Sequence, residues 1–95
     1  MNKEALRSVL VEQHDYKHSQ VDGVIDRIEA FSPPIAEAFA HWLATGEFVS
    51  PEIAGYTVQK IVEKQRMKPV AAFIQLQWLE DEPARALRSL RRGPI

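Results

Sequence analysis

The chain contains no cysteine. That excludes disulfides, thiolate metal sites and a thiol nucleophile, and it fits a reducing compartment. Glycine is scarce and scattered, four residues in 95, so there is no glycine-rich loop to cradle a phosphate. No stretch approaches the roughly 18 uninterrupted apolar residues that a membrane helix needs. Met1 is followed by Asn2, Lys3 and Glu4, with no apolar run of signal-peptide length. A cytoplasmic protein with no membrane partner is expected. Clean strand alternation is missing too; Phe48-Val49 offers at most a brief extended contact.

What is present describes one small helical domain over residues 1–95. A chain of this size buries about 60–65% of its unfolded surface, enough for one modest core. The net charge of −1 hides an asymmetry. Residues 1–50 hold four basic and eight acidic side chains, a net of −4, and residues 51–95 hold eight basic and five acidic, a net of +3. An uneven split can serve head-to-tail self-association or steer a polyanion to one end.

An all-α bundle of five or six short helices follows from apolar spacing and start–stop signals. Ala5, Leu6, Val9 and Leu10 form a stripe over residues 3–13. After the polar break His14 to His18, Ser19-Gln20-Val21-Asp22 fits a capping box. Val21, Val24, Ile25, Ile28 and Phe31 then recur at spacings of three and four. Ser32 reads as the N-cap of a third helix with Pro33 in its first turn, carrying Ile35, Ala38, Phe39, Trp42 and Leu43 and stopped by Gly46. Ser50-Pro51 repeats that start signal and predicts a fourth helix running to about Arg66. A fifth covers about 69–81, apolar around most of its circumference and therefore central to the bundle. Pro83 starts a sixth, to about Arg92, whose acidic approach and basic end both complement the helix dipole.

The stretch Thr57 to Leu79, TVQKIVEKQRMKPVAAFIQLQWL, resembles in outline the helix-turn-helix of DNA-binding proteins. Val58, Ile61 and Val62 share one face, Arg66-Met67-Lys68 makes the turn, and Pro69 opens the second helix. The resemblance implies a reading helix with Arg, Lys, Asn or Gln on its exposed face. This second helix offers only Gln75 and Gln77 among apolar residues, so its surface is that of a buried helix.

Candidate chemistry is sparse. His14 and His18 are four apart, a zinc-site spacing on a helix, but no third ligand stands at a telling distance. His41 near a helix end fits a dipole contact rather than a triad. Glu80, Asp81 and Glu82 could pair for acid–base work, and an acidic helix start accounts for them with less. Neither a catalytic residue nor a cofactor or metal site emerges, and the chain reads as non-enzymatic. Trp78, opposite Ile74 and Leu76 around the fifth helix, and Tyr56 are the aromatics least accounted for by core stripes. They are therefore candidates for a protein interface.

Two functions are expected in order. The first is binding to another protein, with a second copy of the chain among the candidates. The alternative is a nucleic-acid-binding regulator built on the helix pair 57–79 and the basic helix 83–92. Its phosphate contacts would be Lys60, Lys64, Arg66, Lys68, Arg85, Arg88, Arg91 and Arg92. A net charge of −1 is low for a dedicated DNA binder.

Overall fold

A computed structural model describes residues 3–91; Arg92 and the expected Gly93-Pro94 stop lie outside them. The protein is all-α, with six short helices and no strand among the described residues. None of these helices is long and apolar enough to cross a membrane. The chain divides into two compact units, one ending at Ala30 and one beginning at Phe31.

The first unit is a helical hairpin of α1 (Lys3–Gln13) and α2 (His18–Glu29). Leu6 and Leu10 of α1 and Val21 and Ile25 of α2 are buried. Asp15 takes a left-handed conformation (φ 59°), and Tyr16 N–H donates to Leu10 C=O at 3.1 Å. Two exposed ion pairs join the helices, Lys3–Glu29 at 3.3 Å and Arg7–Asp22. Each is worth at most about 1 kcal/mol.

The capping box expected at Ser19 does not form. Lys17 is the N-cap of α2, and no side chain caps it. Lys17 C=O already accepts from Gln20 and Val21 N–H, at 2.9 and 3.1 Å. Asp22, the far half of the box, is held instead by Arg7 of the neighbouring helix.

The second unit contains α3 (Pro33–Thr45), α4 (Val58–Gln65), α5 (Pro69–Asp81) and α6 (Pro83–Arg91). α5 packs against the other three, and Val70, Ala72, Phe73, Leu76, Gln77 and Leu79 on it are buried. Burying a side chain such as Phe73 or Leu76 contributes about 1.5–3 kcal/mol. Phe73 centres an aromatic cluster. Its ring lies 5.2 Å edge-on to Phe39, 5.8 Å from Trp42 and 6.4 Å from Phe31. Phe31 thus follows the end of α2 and belongs to this cluster rather than to the α2 stripe. Phe48 stacks on Trp42 with planes 6° apart, which gives the brief Phe48-Val49 segment its anchor.

Ser32 is the backbone N-cap of α3, but its hydroxyl makes no cap bond. Pro33 and Pro34 in the first turn have no N–H to offer. The helix ends at Gly46, whose left-handed φ of 77° suits glycine.

The expected fourth helix from Ser50-Pro51 is displaced. α4 begins at Val58, capped by Thr57, whose hydroxyl accepts from Lys60 N–H at 3.2 Å. Residues 51–57 instead make a tight turn. Ile53 and Tyr56 exchange two backbone hydrogen bonds, 2.8 and 2.9 Å, around Ala54 and Gly55, both at positive φ. Gly55 tolerates that conformation, and a helix through it would forfeit it. The later break is as the spacing predicts, with Arg66 left-handed at φ 53°, Lys68 as N-cap and Pro69 first in α5.

Candidate interaction site

The junction of α5 and α6 brings together side chains of different chemistry. Glu82 links the two helices and uses both carboxylate oxygens. One accepts from the indole N–H of Trp78 at 3.2 Å and the other pairs with Arg85 at 3.4 Å. The spacings, four residues back and three forward, place these partners on one side of the chain. Beside them lies an open cleft of about 260 Å³ lined by Trp78, Arg85, Arg88 and Ser89. Trp78 is half-buried, while Arg85 and Arg88 are exposed. Arg88 has no ion-pair or hydrogen-bond partner among the described residues.

The structure therefore joins residues that the sequence sorted into two classes. Trp78 was singled out for protein contact, Arg85 and Arg88 for phosphate. Tyr56 does not line this cleft; it closes the 53–56 turn ahead of α4. The sequence offers Glu82 only as one of three acidic residues before a helix, and it gives no signal for Ser89. The Trp78–Glu82 and Glu82–Arg85 spacings were legible, but the helix break at Pro83 obscured them.

The remaining basic residues lie along α4 and its exit. Lys60, Lys64, Arg66 and Lys68 are exposed, and Lys60 Nζ donates to Gly55 C=O at 3.3 Å. Gln65 Nε2 donates to Leu90 C=O at 3.1 Å, tying the C-terminal end of α4 to that of α6. Arg66 and Arg91, each the next residue, thus sit at the same end of the unit. Cations there also complement two helix C-termini.

Neither of the two glutamines that a reading helix would need is fully exposed. Gln77 is buried; its Oε1 accepts from Ser32 N–H at 2.8 Å, and its Nε2 donates to Glu80 and Asp81 at 3.0 Å each. Gln75 is half-buried with its Nε2 shielded and unpartnered.

His14 lies in the bend after α1 and His18 opens α2, so the two do not share one helix face. Among the described residues no group of three or more His, Cys, Asp or Glu side chains is placed to hold a metal ion. His41 Nε2 faces Glu47 at 3.8 Å, beyond hydrogen-bond reach. No protein-family model, curated protein or solved structure matches this chain.

Proposed function

We propose that this chain is a small non-enzymatic binding module of the cytoplasm. It engages another protein, a second copy of itself included, through the α5–α6 cleft. The observation that supports this reading is Trp78, half-buried in the cleft wall and flanked by Arg85 and Arg88. Tryptophan and arginine dominate the binding energy of protein interfaces, because both bring large contact area and directed polar groups. Holding the indole N–H on Glu82 also lowers the entropy cost of ordering the ring on binding.

The test is sedimentation velocity and affinity capture with wild-type protein and Trp78→Ala, both checked for helicity by circular dichroism. Association that is present in the wild type and lost in a folded Trp78→Ala variant supports the proposal. A clean wild-type monomer that captures no protein overturns it.

A nucleic-acid-binding regulator is the second reading. It is favoured by the convergence of Arg66 and Arg91 at one end through the Gln65–Leu90 bond. The hydrogen bonds that hold Gln77 and the half-buried position of Gln75 count against base reading by α5. A labelled DNA duplex titrated at low and near-physiological salt tests it. Binding that collapses with salt and weakens in Arg66→Ala and Arg91→Ala would promote this reading.

A further inference from the structure

Resting on the protein-binding reading, we infer that the α5–α6 cleft recognises an acidic peptide: one side-chain carboxylate next to a large apolar side chain. Three observations on the cleft converge on that ligand. The first is charge. Glu82 is paired with Arg85, which leaves the single positive charge of Arg88 facing the cleft. A guanidinium offers two parallel N–H donors that match a carboxylate bidentately.

The second is the carboxylate beside it. Glu82 is bonded to both Trp78 and Arg85, two residues that line the cleft. A chain of phosphates laid across Arg88 would bring several negative charges toward Glu82, with Arg85 already paired. A peptide with one acid places its charge on Arg88 alone. The local balance thus favours a single carboxylate over a polyanion.

The third is the indole. Its N–H is taken by Glu82, so what Trp78 offers a ligand is apolar ring surface. An aliphatic or aromatic side chain next to the acid would cover that surface. The cleft, at about 260 Å³, is smaller than the roughly 300–1,000 Å³ sites of drug-sized ligands. It suits a peptide side chain better than a cofactor.

The test uses the full chain and short fluorescent Gly/Ser peptides carrying Asp or Glu next to Leu, Phe or Trp, with matched Asn or Gln peptides as controls. Fluorescence anisotropy should show the acidic peptides binding roughly tenfold or more tightly than their amide counterparts, the worth of a charge-assisted pair. Arg88→Ala should abolish that preference and Arg88→Lys should restore part of it. Arg88 is exposed, so these variants should stay folded, which circular dichroism checks. Equal binding of acid and amide peptides overturns the inference, as does no binding of either. So does binding of a DNA duplex, without peptide binding, that Arg88→Ala removes. If acid and amide peptides bind alike while Trp78→Ala still loses association, the carboxylate assignment fails and the protein-binding proposal stands.

Discussion

Ser50 caps a helix that begins eight residues after it: its Oγ accepts from Val58 N–H at 2.8 Å. Val58 is the first residue of α4, and its amide has no partner within the helix. Thr57 satisfies a second such amide, that of Lys60. Ser50→Ala and Thr57→Ala should each cost about 1 kcal/mol, read as a lower urea midpoint at unchanged slope. Pro51→Ala, at a residue outside the helix, should stay within about 0.5 kcal/mol. A Ser50→Ala protein as stable as wild type would show that this hydroxyl contributes nothing to the cap.

Gly23 lies inside α2, and a Cβ built on it meets nothing within 4 Å. Gly23→Ala should therefore stabilise the protein by about 0.5–1 kcal/mol, by restricting the unfolded chain without a clash. Thermal melts decide; a lower Tm would contradict the open surroundings.

Gln77 is the buried polar residue that joins the start of α3 to the end of α5. Gln77→Leu keeps similar volume but leaves Ser32 N–H without its acceptor. A buried donor left unpaired costs about 1–3 kcal/mol. Urea denaturation should show that loss, and hydrogen exchange at Ser32 should accelerate.

Leu76 is fully buried on the central helix. Leu76→Ala should cost about 2–5 kcal/mol through lost burial and the cavity left behind. Leu76→Asp, which buries a charge among α3, α4 and α6, should abolish cooperative unfolding. A folded Leu76→Asp protein would be inconsistent with this core.

Burial raises the Tyr16 phenol above its ordinary value of 10.0. The raised group binds its proton more tightly when folded. Its contribution is therefore fully present below the unfolded pKa and is lost as pH rises through the folded one. Stability should fall above about pH 10 more steeply in wild type than in Tyr16→Phe. Denaturant midpoints of the two proteins, compared at mildly and strongly alkaline pH, measure the difference; parallel curves would remove Tyr16 from the effect.

Helix identity was legible where the governing signal is local. α1 occupies residues 3–13, α3 runs from Pro33 to its Gly46 stop, and α5 spans 69–81, all as spacing and capping residues predict. The failures are at starts where a distant partner competes. Ser50 carries the right chemistry for a cap, but its hydroxyl serves Val58 while Ala54-Gly55 turns the chain. Asp22 fits a capping box, but Arg7 takes it.

The site was half legible for the same reason. Trp78, Arg85 and Arg88 could each be picked out by residue type, as an aromatic on a crowded helix and as cations on an exposed one. That they share a cleft depends on how α6 turns back onto α5 at Pro83, with Glu82 bonded to both Trp78 and Arg85.

By itself, the sequence determined the all-α class, a count of five or six helices, the central position of α5 among the helices of its unit and the absence of thiol chemistry. These rest on apolar period, on proline and glycine punctuation and on composition, all of which act within a few residues. The tertiary structure alone decided where α4 begins, what Gln77 bonds and which basic residues stand beside Trp78. Those outcomes depend on groups far apart in the chain competing for the same donors and acceptors, and residue spacing carries no record of which one wins.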